Sequence, residues 1–142
     1  MRDLLRVLAV APALLVAACS GGSEPTAATG PATLPAAYSY TLTSSCGERS
    51  LIGTYRVRVA HGVVTDVDPR GRAVAPPDLG DVPTIADLEA MIGAAEPDAV
   101  VEVERDVDGL LTSVSIDHVP DAIDDEECYA VSGLRDRAGG GG

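Results

Sequence analysis

Between Tyr38 and Leu134 the apolar side chains recur mostly at every second position, and at helical spacing in a single place. Tyr38, Tyr40 and Leu42 alternate with Ser39, Thr41 and Thr43, the pattern of a strand that buries one face. Cys46 continues that inward parity. Tyr55, Val57 and Val59 alternate with Arg56 and Arg58, and Val63, Val64 and Val67 follow after His61-Gly62. Gly takes positive φ freely and His tolerates it better than a branched residue, so these segments predict a hairpin with His61 at its tip. Residues 69–83 carry four prolines and predict an irregular excursion.

A helix then begins at Thr84, whose hydroxyl can cap the free amides of the first turn while Asp87, three residues on, adds favourable charge. Ile85, Leu88 and Ile92 form its apolar stripe, and Gly93 and Pro97 end it. Val101 and Val103 alternate with Glu102 and Glu104. The run Asp106-Val107-Asp108-Gly109 turns the chain into Thr112, Val114 and Ile116, with Ser113, Ser115 and Asp117 outside. After an acidic loop, Cys128 to Leu134 predicts a last strand with Tyr129 and Val131 on one face. Two short-looped groups of strands around one amphipathic helix predict an α+β domain: an antiparallel sheet of five or six strands with one main helix packed on one face. A small all-β barrel with an accessory helix is the alternative.

The first residues follow a different pattern. Arg2 and Arg6 precede and interrupt an apolar run from Leu4 to Val16, and Val16-Ala17-Ala18-Cys19 ends it with small residues before a cysteine. That arrangement predicts a lipoprotein signal peptide over residues 1–18, with cleavage before Cys19 and acylation of its thiol. The run is too short for the roughly 20 apolar residues of a membrane span. Residues 19–36 are rich in Ser, Gly, Pro, Thr and Ala and predict a flexible tether. The single domain is expected over 37–136, and a Gly-rich, disordered tail over 137–142. The location implied is the cell membrane, through the lipid, on the side away from the cytoplasm.

Composition narrows the partners. The formal charge is −12, and removing residues 1–18 takes away two Arg and one Asp and moves it to −13. Such an acidic chain excludes nucleic acid, whose binding depends on cations that displace condensed counterions, and it leaves the lipid as the evident membrane contact. An exported protein is the remaining candidate partner, and nothing in the chain sets its oligomeric state. With no Phe and no Trp, the core is built from Val, Leu, Ile and four Tyr, so a covalent staple matters more than usual. Cys46 and Cys128 are the even pair left once Cys19 carries lipid, and outside the cytoplasm such a pair is expected to bridge. Two isolated buried thiols are the competing arrangement.

The stretches Tyr38-Ser-Tyr-Thr-Leu-Thr-Ser-Ser-Cys46, Tyr55-Arg-Val-Arg-Val59, Pro83-Thr-Ile-Ala-Asp-Leu88 and Thr112-Ser-Val-Ser-Ile-Asp117 resemble a family of exported bacterial proteins, domain-of-unknown-function family 6174. The resemblance covers about residues 37 to 135. It implies a small secreted or lipid-anchored domain and brings no catalytic residue with it. Members often carry a second cysteine where this chain has Glu48 and a proline where it has Leu111.

Candidate chemistry is sparse. His118 shares the parity of Val114 and Ile116, which places it at the covered side of the sheet or its end and reads as a structural histidine. No Gly-x-Ser-x-Gly elbow, phosphate loop or His-Glu-x-x-His helix occurs, so no catalytic residue and no cofactor are expected. Calcium takes oxygen ligands, and Asp121, Asp124 and Asp125 are the weak candidates for it, beside Asp66 and Asp68. The run that starts at Asp66 puts Arg70 where a third oxygen donor belongs, and the acidic loop lacks a glycine turn. The function expected is therefore a lipid-anchored binding or interaction module, with calcium or small-ligand binding as the alternative and a hydrolytic enzyme behind both. An apolar patch on the open sheet face would favour a protein partner; a polar cleft around His118 would favour a ligand or an enzyme.

Overall fold

The computed structural model describes residues 31–46, 51–71, 76–120, 122 and 126–137. The predicted signal peptide, Cys19 and most of the predicted tether lie outside the described residues, as do Asp121, Asp124, Asp125 and the Gly-rich tail. The chain runs β1 (Ala37–Cys46), β2 (Gly53–Ala60), β3 (Val63–Arg70), α1 (Ile85–Ala94), β4 (Val100–Arg105), β5 (Leu111–Asp117) and β6 (Glu126–Asp136), with a short 3-10 turn at Leu79–Asp81 before the helix.

The six strands form one antiparallel sheet in the order β3-β2-β1-β6-β5-β4. The two hairpins predicted from alternation are its two wings, and β1 and β6 join them at the centre. The wings end in the unpaired edge strands β3 and β4, so the sheet is open and the barrel alternative does not apply. The helix connects these opposite edges across one face. His61 and Gly62 both take positive φ, 52° and 79°, which is the turn chemistry that closes the β2–β3 hairpin.

Side-chain parity decides which face is covered. Tyr38, Tyr40 and Leu42 of β1, Tyr55, Val57 and Val59 of β2, Tyr129 and Val131 of β6, and Val114 and Ile116 of β5 all pack into one core with Ile85 and Leu88 of the helix. The helix starts as its sequence predicts: Thr84 Oγ1 accepts from the Asp87 amide at 3.1 Å, and the Asp87 carboxylate accepts from the Thr84 amide at 2.8 Å. Each bond satisfies a first-turn donor that has no partner within the helix. Beneath this end of the helix the Tyr40 hydroxyl donates to the Pro83 carbonyl. Arg105 at the end of β4 grips Glu89 through two parallel bonds, 2.5 and 2.7 Å. Those bonds hold the middle of the helix against the sheet.

One parity expectation is overturned. A bulge between Ser44 and Cys46 adds a residue to β1 against β6, so Ser44 opposes Tyr129 while Cys46 opposes Cys128. The extra residue rotates Cys46 out of the covered face and onto the open one, where its sulfur is bonded to that of Cys128.

The sheet has two unlike ends. The incoming chain crosses one of them: Ala32 donates to the Gly109 carbonyl in the β4–β5 turn, and the Ala36 carbonyl accepts from His61 in the β2–β3 turn. Cys46, Cys128, His118 and the start of β6 stand at the other end.

Candidate binding site

β6 begins two residues before the strand expected from the sequence, and that difference creates the site. Glu127 is in register with Ile116, so its carboxylate points to the covered face, in phase with Tyr129 and Val131. It is 5% exposed. A carboxylate among apolar neighbours is costly to desolvate, so such a position needs compensating polar contacts. His118 follows the last residue of β5 on the same face, and its Nε2 lies 3.9 Å from Glu127 Oε2. Parity along β5 accounts for the position of His118, whereas Glu127 belongs to a stretch whose sequence reads as an acidic loop. The signal that finds it is the same alternation carried back one step from Tyr129.

Over these two side chains hangs the C-terminal half of the helix. Met91, Ala94 and Ala95 roof a hollow of about 340 Å³ whose floor is His118 and Glu127. The small alanines leave the space that a larger residue would fill. No basic residue occupies the last turn of the helix. The carbonyl end of a helix carries partial negative charge, so the roof and the Glu127 carboxylate both favour a cation. The apolar part of the lining suits an alkyl stem. Among the described residues, the lining of the hollow is Met91, Ala94, Ala95, His118 and Glu127, none of which carries a hydroxyl or thiol.

The other sequence candidates are placed as follows. Asp66 and Asp68 lie on β3, a strand and not a calcium loop, where Asp66 pairs with Arg58 at 2.5 Å and Asp68 with Arg70 at 3.6 Å. Asp121, Asp124 and Asp125 lie outside the described residues, as does Cys19. Cys46 and Cys128 form the expected disulfide, with Cα atoms 5.2 Å apart. Glu126 stands beside them with its carboxylate within 4.8 Å of both sulfurs, but bonded sulfurs are not thiolate ligands.

A second hollow, of about 310 Å³, opens at the tether end between the β2–β3 turn, the 3-10 turn and the start of the helix. Its one acidic side chain, Asp87, is engaged by the helix cap. Next to it, burial raises the pKa values of Tyr38 and Tyr40 above the usual phenol value. Both phenols hold structure at the helix start.

The open face carries no contiguous apolar patch among the described residues. Ser39, Thr41, Thr43, Arg56, Arg58, Ser113, Ser115 and Ser132 cover its centre. Val63 and Val100, 60% and 50% exposed, stand singly at far corners. The feature that would have favoured a partner docked on this face is missing. The hollow at His118 is present.

The model of a family of unknown function, DUF6174, matches residues 25–136. No curated protein and no solved structure matches the chain.

Proposed function

We propose that this chain, which belongs to the family of unknown function DUF6174, is a lipid-anchored, non-catalytic binding module on the outer side of the cell membrane. Its hollow at the far end of the sheet receives a positively charged group on an apolar stem, such as a basic side chain of another exported protein. The observation that carries this reading is Glu127: a carboxylate 5% exposed on the covered face, opening with His118 into a hollow under a helix terminus of the same sign. A cation there meets two groups of negative sign at once, the Glu127 carboxylate and the carbonyl end of the helix.

The anchoring part of the proposal rests on the apolar run before Cys19 and on the small residues that precede it. The two parts are geometrically compatible. A lipid on Cys19 leads through residues 20–36 into the end of the sheet opposite the hollow, so the anchor and the hollow do not compete for one end of the domain. Calorimetric titration with n-butylammonium tests the binding part. Saturable heat that Glu127→Gln abolishes, with the melting temperature of the variant kept, supports it; heat that persists undiminished in the variant contradicts it.

A further inference from the structure

On the open face, opposite the hollow, one cross-strand row reads Arg58–Ser39–Arg135, because Ser39 of β1 pairs with Arg58 on one side and with Arg135 on the other. Arg56 reaches into the same place, its Nη2 donating to Ser39 Oγ at 3.2 Å. Three arginines thus share one stretch of the open face on a chain whose formal charge is −12 and which has only ten Lys and Arg residues in all. Ser39 is 1% exposed beneath them.

The row is neutralised only in part from within, since Asp66 and Asp68 of β3 stand opposite Arg58 and Arg56. Asp66 takes one nitrogen of Arg58 at 2.5 Å, and Asp68 pairs with Arg70. No salt bridge among the described residues engages Arg56 or Arg135. Arg58 Nε is buried without a hydrogen-bond partner. Arg58 and Arg135 stand on either side of β1, two strand spacings or about 10 Å apart, and the unfilled buried donor carries a desolvation cost. An anion placed between Arg58 and Arg135 gives that donor an acceptor.

We propose that this row is a binding site for a phosphate group. Guanidinium groups present paired N–H donors that match phosphate oxygens, and the Ser39 hydroxyl positions one of them by accepting from Arg56. The row lies next to the residues through which the chain enters the sheet, since Arg137 donates its amide to the Ala37 carbonyl just beyond it. A phospholipid headgroup and a free phosphate ester share this chemistry. The headgroup is the source within reach of a domain held at the bilayer.

The test uses the full chain with its disulfide intact, followed by NMR of the arginine Nε–H groups and the Ser39 amide. One arm adds inorganic phosphate; a second adds vesicles of phosphatidylglycerol in phosphatidylcholine; a third adds phosphatidylcholine alone. Saturable shifts at Arg58, Arg135 and Ser39 that Arg135→Gln weakens at least tenfold, and that Arg70→Gln leaves unchanged, support the site. Response to phosphatidylglycerol vesicles but not to free phosphate makes the source a headgroup, and the reverse makes it a soluble ester. No response to either, or equal response in Arg135→Gln, overturns the proposal. None of these outcomes depends on whether the hollow binds a cation or Cys19 carries lipid.

Discussion

Cys46 and Cys128 are cross-strand partners on the open face, joined at the end of the two central strands farthest from the incoming chain. The bond closes a separation of 82 residues and ties β1 to β6, the two central strands that join the wings. In the chain-entropy account a loop of that length is worth about 4 to 5 kcal/mol, a large share of the stability of a small domain. Urea unfolding of Cys46→Ser/Cys128→Ser is therefore expected to show a loss of that order. Unchanged stability, or alkylation of both sulfurs in the native chain without reductant, contradicts it.

Alkaline titration reads the tyrosines under the helix. Burial is the main cause that raises the pKa values of Tyr38 and Tyr40, while in the unfolded chain both ionise near 10. The folded state therefore holds more protons than the unfolded state above that pH. Their contribution to stability is complete below pH 10 and is lost as pH rises beyond it. Absorbance at 295 nm should show Tyr38 and Tyr40 ionising only together with loss of near-ultraviolet circular dichroism. Ionisation of all four tyrosines near pH 10 in a folded chain would refute this.

Arg105 and Glu89 are each 20% exposed in their side chains and share two parallel hydrogen bonds. This geometry is stronger than a single exposed ion pair but is still partly screened, so a coupling of about 1 to 2 kcal/mol is expected. A double-mutant cycle with Arg105→Met and Glu89→Gln measures it. A coupling indistinguishable from zero would show that the helix is held by its apolar face alone.

The strands, both hairpins and the capped helix are legible in the sequence because each depends on neighbours a few residues apart. Alternation marks Tyr38 to Leu42 and Tyr55 to Val59, and Thr84 with Asp87 marks the helix start. What alternation does not carry is pairing between distant segments. Nothing local says that β1 lies beside β6 or that the helix spans from edge strand to edge strand, since those follow from how the two wings bury a common face. The bulge before Cys46 is similarly hidden: Ser45 resembles its polar neighbours, and only the register against β6 shows that it is extra. The candidate site was half legible. His118 followed from parity, whereas Glu127 was masked by the acidic residues that precede it, which read together as one solvated loop.

Anchoring is tested by Cys19→Ala. The variant should leave the membrane fraction and appear in the soluble fraction, with the disulfide still formed if export is retained. Membrane attachment equal to that of the parent chain contradicts acylation at this position.

The account turns on the hollow beneath Ala94 and Ala95, and amide chemical-shift mapping during addition of n-butylammonium tests it most directly. Saturable shifts confined to Met91–Ala95, His118 and Glu127, and absent in Glu127→Gln, are the predicted result. Shifts that do not saturate, or that spread over the acidic residues of the chain without reaching Glu127, would contradict it.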